Sequence, residues 1–171
     1  MQFYNSDKSS LIQLDEELFT INQLKPYKSW DDYYDKIKYG YDKFKRIADY
    51  NKITRIGLQY INIIDLGKIE NLEEYFNIYP QTNYEIDYDR FVVGVVSPQT
   101  EANGDLRIEI STQRAEEPNI NRFILSLDHF INKPDFIEDK SLFKWIEESH
   151  TTIENNFLSI ITDKLKTHFN N

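Results

Sequence analysis

Residues 54–64 read TRIGLQYINII, and how this stretch is read decides the fold. Ile56, Leu58 and Tyr60 alternate onto one face, while Arg55, Gly57 and Gln59 fall on the other, the period-two pattern of a strand with one dry side and one mixed side. Ile61, Ile63 and Ile64 make the far end apolar on both faces, which places the strand in the middle of a sheet. The polar residues admit two readings. Either Arg55 pairs with an acidic neighbour across the sheet, such as Glu109 or Asp128, or Arg55 and Gln59 wait for a ligand. At roughly 3.3 Å per residue, Arg55 and Gln59 lie about 13 Å apart on one face and Asn62 points to the opposite one. The three do not converge on a small molecule, so the architectural reading is preferred and Arg55 and Gln59 are kept as binding candidates.

Working towards the N-terminus, SSLIQLDEELFTINQL sets two apolar runs around Asp15, Glu16 and Glu17, a hairpin pattern. Ser29 then caps a helix reaching Tyr50, with Asp31 and Asp32 at its positive end and Lys36, Lys38, Lys43, Lys45 and Arg46 in its second half. Its apolar stripe is Trp30, Tyr33, Tyr34, Ile37, Tyr41, Phe44 and Ile47. Working towards the C-terminus, NLEEYFNI (71–78) reads as a short helix capped by Asn71 and stopped by Pro80. Three period-two runs follow: Phe91–Val96, then Leu106, Ile108 and Ile110, then Phe123, Leu125 and Leu127, separated by loops holding Pro98, Asn103-Gly104 and Pro118-Asn119. From Asp139 the chain is helical, with Leu142, Ile146, His150, Ile153, Phe157, Ile160, Ile161, Leu165 and Phe169 on one stripe, and Thr162-Asp163 can cap a separate last helix. The expected fold class is α+β: a mainly antiparallel sheet of about five or six strands, in the order β-β-α-β-α-β-β-β-α, covered by two long helices and forming a single domain over 1–171.

Composition narrows the chemistry. A chain of 171 residues buries roughly 70% of its unfolded surface, so it needs no covalent staple, and it has no cysteine for disulfides or thiolate metal sites. With 29 acidic against 20 basic residues the net charge is -9, which disfavours nucleic acid and favours a basic protein partner. No apolar run reaches the length of about 18 residues that a spanning helix needs, and MQFYNSDKSS has neither a basic nor an apolar signal region. The expectation is a cytoplasmic protein without membrane contact.

RIGLQYIN (55–62) resembles the R-[IL]-G-L-R-Y-I-N signature of an uncharacterised, sporadically distributed prokaryotic protein family. Similar pieces follow in the same order along nearly the whole chain: LIQLDEELFTINQLKPYKSW (11–30), EYFNIYP ending at Pro80, ILSLDHF, and the closing pattern of His150, Phe157 and Ile161-Thr162. Two departures stand out. Family members carry an additional N-terminal segment that this chain lacks, so it is similar to the C-terminal part of a longer architecture, and Gln59 stands where the family has a second arginine. The sporadic distribution implies mobile or defence-associated genes.

Glu147, His150 and Glu154 share one helical surface, a trio suited to a divalent metal or to acid–base work, with Asp128 as a further candidate. Against catalysis, the sequence has no H-E-x-x-H, no nucleophile motif and no phosphate-binding glycine loop, so no metal and no cofactor are expected. Tyr33, Tyr34, Tyr39, Tyr41 and Tyr50 exceed what one stripe buries, which marks Tyr33, Tyr34 and Tyr41 as candidates for a partner or self-association surface. The function expected is a non-catalytic binding or regulatory protein acting by protein–protein contact, antitoxin-like or immunity-like. The alternative is a small metal-assisted hydrolase or nuclease using Glu147, His150 and Glu154.

Overall fold

The two apolar runs around Asp15, Glu16 and Glu17 fold back on each other in a computed structural model that describes residues 1–48, 53–81, 90–132 and 139–169. The chain divides into two compact units, Met1–Asn51 and Lys52–Asn171. In the first unit, β1 (Gln2–Tyr4), β2 (Ser10–Leu14) and β3 (Phe19–Gln23) form an antiparallel sheet in chain order. Leu14 stands opposite Phe19, and the Asp15 N–H donates to the Leu18 carbonyl at 2.8 Å to close the turn.

Helix α1 (Trp30–Ile47) begins where Ser29 Oγ accepts the Asp32 N–H at 3.2 Å, and it carries Asp31 and Asp32 in its first turn and Lys45 and Arg46 in its last. It docks on the three-stranded sheet. The Tyr33 hydroxyl donates to the Ile21 carbonyl at 2.7 Å, and Phe19 stacks on Phe44 at 4.3 Å. The glycine inside this helix has a steric reason, because a Cβ on Gly40 would lie 2.6 Å from Ile21 Cδ1. Tyr50, expected at the helix end, lies outside the described residues.

The second unit is built on β4 (Ile56–Leu66), β5 (Val92–Gln99), β6 (Gly104–Arg114) and β7 (Asn121–Ile131), antiparallel throughout, in the order β4-β7-β6-β5. The strands therefore divide between two sheets of three and four, where the sequence pattern gave one sheet of five or six. The stretch 54–64 forms an edge strand, not a central one. Its apolar far end misleads because Ile61 and Ile63 sit on the outer face, 61% and 44% exposed. On the inner face Leu58, Ile64, Leu106, Ile110, Phe123, Leu125 and Leu127 are buried, and α2 (Asp139–Ile160) packs on β7 and β4 with Leu142, Ile146 and Ile153 buried.

Two expected elements change form. NLEEYFNI holds only one 3-10 turn, Leu72–Glu74, and Asn71 supplies no side-chain cap. Tertiary bonds claim the rest: Phe76 bridges to Ile161, and the Asn77 N–H donates to the Ile160 carbonyl at 2.7 Å. The C-terminal stripe is two helices, α2 and α3 (Asp163–Phe169), with Thr162 Oγ1 accepting the Leu165 N–H at 3.3 Å at the second start. No described helix is long and apolar enough to cross a membrane.

Candidate functional site

The outer face of the four-stranded sheet, turned away from α2, gathers the polar residues of RIGLQYIN. Cross-strand register puts Gln59, Asp128 and Arg107 in one row, and Gly57, Phe130 and Asp105 in the next. Arg55 doubles back along its own strand to reach this row, and Nη2 donates to Asp128 Oδ2 at 2.7 Å. Its guanidinium lies 4.9 Å from the Phe130 ring centroid and that of Arg107 lies 5.6 Å away, so the buried ring carries two cations. Gly57 makes the fold-back feasible, because a Cβ there would stand 2.8 Å from Arg55 Nη1 and 3.1 Å from Asp128 Oδ1. The arginine and the glycine of the motif thus serve one arrangement.

Gln59 does not join that pair. Its Nε2 donates to Ser126 Oγ at 2.9 Å, while Asn62, on the inner face, donates to the Leu125 carbonyl at 3.1 Å. Beyond Gln59 the outer face becomes apolar. Ile61 and Ile63 follow on β4, with Ile124 opposite Ile63, and the strip is bounded by Asp65, which accepts both Nε and Nη2 of Arg122 at 2.6 and 2.7 Å. An apolar patch bounded by the Arg55–Asp128 and Asp65–Arg122 ion pairs is a surface suited to contact.

The inner face holds the histidines. His129 and Ser149 are fully buried, with Nδ1 and Oγ 2.8 Å apart, and the imidazole stacks on Trp145 at 5.1 Å. Trp145 in turn donates Nε1–H to the Asn103 carbonyl at 2.8 Å, and His129 Nε2 has no hydrogen-bond partner among the described residues. Burial pushes His129 below its ordinary value, against the opposing pull of Asp128 and Asp105. Neighbouring residues on a strand face opposite sides, so Asp128 points out and His129 in, and they make no Asp–His couple. Ser149 was missed in the sequence, although it falls on the buried stripe three residues after Ile146.

His150 meets Tyr60, not Glu147: Nδ1 and the tyrosine hydroxyl lie 3.2 Å apart and the rings 5.8 Å apart. Desolvation lowers its pKa and the Glu154 charge works in the opposite direction. Glu147 and Glu154 are exposed, and no group of three His, Asp or Glu side chains able to hold a metal occurs among the described residues. A hollow of about 430 Å³ lies elsewhere, lined by Arg90, Arg114 and Arg122 among others, with no carboxylate among its described lining residues.

The tyrosines of α1 divide. Tyr41 is buried, and burial raises the Tyr33 hydroxyl to about 12 while it donates to Ile21, so these two belong to packing within the first unit. Tyr34 stacks on Trp30 at 5.4 Å beneath the Lys38 ammonium, and Tyr39 stays 64% exposed. Comparison with family models, with curated proteins and with solved structures returned no match.

Proposed function

We propose that this protein is a non-catalytic binding or regulatory protein that acts by protein–protein contact through the outer face of its four-stranded sheet. The observation carrying this reading is the exposed pair Ile61 and Ile63, set on β4 between the Arg55–Asp128 and Asp65–Arg122 ion pairs. Apolar side chains held open on a sheet between two ion pairs fit the centre of a contact patch. The net charge of -9 steers a basic partner towards the chain, which is the electrostatic logic of an antitoxin-like or immunity-like protein. The resemblance of RIGLQYIN to a sporadically distributed prokaryotic family supports a mobile or defence-associated gene cluster as the setting, and the cytoplasm is the compartment proposed.

The test is isolation of the protein from its own cells, with identification of what stays bound, repeated for Ile61→Asp and Ile63→Asp. A basic protein should be retained at low salt, released at raised salt, and lost with either substitution. A bound protein indifferent to both substitutions, or none bound at all, overturns the reading.

A further inference from the structure

The segment FVVGVVSPQT (91–100) contains no charged residue in a chain with 29 acidic and 20 basic ones, and it includes the whole of β5, an edge of the four-stranded sheet. Edge strands are ordinarily protected by charges, bulges or covering elements, because their unpaired N–H and C=O groups template another strand. Here Val92, Val95 and Val96 are 67%, 45% and 57% exposed. Among the described residues of this edge, Pro98, near the C-terminal end, is the blunting feature.

The hydrogen-bond phase shows which groups face outward. The Thr112 N–H donates to the Phe91 carbonyl at 3.1 Å, and the Phe91 N–H donates to Thr112 Oγ1 at 3.0 Å, so Phe91 faces β6. By antiparallel alternation Val93, Val95 and Ser97 do the same, which leaves the N–H and C=O groups of Val92, Gly94 and Val96 at the free edge. Gly94 sits at the centre of this row. Its backbone does not adopt positive φ, and a Cβ would meet nothing closer than the Ile108 carbonyl oxygen at 3.5 Å, so neither conformation nor packing within the chain requires a glycine. A glycine in that situation marks a place where another backbone comes close.

We propose that β5 is a self-association edge, on which a second copy of this chain adds antiparallel about a two-fold axis at Gly94. In that register Gly94 faces Gly94 of the second copy, Val92 faces Val96, and two four-stranded sheets join into one. One charge pair fits this occupant. Arg90 precedes the start of the strand and Asp105 flanks its other end on β6, and a two-fold axis brings each Arg90 to the Asp105 end of the other copy. Arg90 lies opposite Pro98 of the second copy, whose neighbour on β6 is Asp105, and by strand alternation both charged side chains project from the same face. At roughly 3.3 Å per residue the seam is about 26 Å long and one strand wide, a smaller contact than the standard interface of about 800 Å² per partner, so the dimer is concentration-dependent. This edge is separate from the Ile61–Ile63 surface, so the two proposals stand or fall independently.

The experiment is sedimentation equilibrium of the full chain over a wide concentration range, for the wild type, Val96→Lys, Val92→Lys, Arg90→Glu, and Arg90→Glu combined with Asp105→Arg, with circular dichroism confirming each fold. The wild type should pass from the mass of one chain to that of two. Either lysine variant should hold the monomer, Arg90→Glu should weaken association about tenfold, and the double charge reversal should restore it. A wild type that stays monomeric overturns the proposal, as does a dimer that both lysine variants and the charge reversal leave unchanged. Because the wild-type mass and the gain of association in the double reversal need no destabilised variant, the test survives a substitution that fails to fold.

Discussion

Arg55 and Asp128, 73 residues apart, are joined at 2.7 Å by a guanidinium that lies across Gly57. The carboxylate is nearly enclosed, with 11% side-chain exposure, whereas the arginine side chain is 50% exposed. Exposure limits what the pair adds in Coulomb energy to less than about 1 kcal/mol, but leaving the enclosed carboxylate without its donor costs about 1–3 kcal/mol. Gly57→Ala should therefore destabilise the protein by about 1 kcal/mol, even though Ala is the better strand residue. In an Arg55→Ala background the same substitution should be neutral or stabilising. A double-mutant cycle by urea denaturation reads the difference, and additive effects would show that the guanidinium does not depend on the glycine.

The outer and inner faces of the sheet should respond oppositely to substitution. Ile61→Asp alters an exposed side chain and should shift stability by no more than about 0.5 kcal/mol, while Leu125→Ala, at a fully buried position, should destabilise by about 2–5 kcal/mol. Thermal melts followed by circular dichroism distinguish the two. A large loss for Ile61→Asp would mean that this isoleucine belongs to the core, and it would remove the basis for a contact surface there.

The contrast between faces also explains what the sequence could and could not reveal. Alternation marked β4, β6 and β7 correctly, and Ser29 announced the start of α1, because both signals are local. Period two says which side chains share a face but not which strands share a sheet, so the separation of β1–β3 from β4–β7 was illegible, as was the edge position of β4. The helix expected over 71–78 failed because Phe76 and Asn77 spend their backbone groups on Ile161 and Ile160, a tertiary demand that no local pattern carries. At the site, Asp128 was among the acidic neighbours that the sequence offered to Arg55, whereas the role of Gly57 depends on the neighbouring side chain folding back and leaves no periodic trace. The tyrosines of α1 divide for a related reason: amphipathic counting cannot tell that Gly40 stands against Ile21, on the side of the helix where Tyr41 is buried and Tyr33 bonds the Ile21 carbonyl.

Ser149 should matter more than its size suggests. It is the one hydrogen-bond partner of the buried His129 imidazole among the described residues, at 2.8 Å. Ser149→Ala keeps the packing but leaves a fully buried ring with neither nitrogen paired, which should cost about 1–3 kcal/mol. Ser149→Ala combined with His129→Phe, an aromatic ring against Trp145 with no polar atom, should recover a substantial part of that loss. Chemical denaturation of the single and double variants checks it, and failure of the double variant to recover would assign the loss to packing.

Stability should fall as the pH drops below the ordinary histidine range. Burial lowers the pKa of His129, and desolvation does the same at His150, each relative to 6.5. The folded chain therefore holds both rings neutral where the unfolded chain has begun to take up protons. Between those two titrations the unfolded state binds more protons, so the unfolding free energy rises with pH, with a limiting slope of about 1.4 kcal/mol per pH unit for each histidine. The stabilisation is complete above 6.5 and is lost as the pH falls through it. Asp105 and Asp128 oppose the shift at His129, and Glu154 opposes it at His150, which keeps the slope below its limit. Urea midpoints measured from about pH 8 to about pH 5 stay clear of Asp7 and Glu74, whose carboxyls are held below their ordinary values by Ser9 and Lys164 respectively. His129→Gln should lower the midpoint at pH 8 yet flatten its pH dependence, and adding His150→Gln should remove the remaining slope. A slope that persists in the double variant would place the titrating groups elsewhere in the chain.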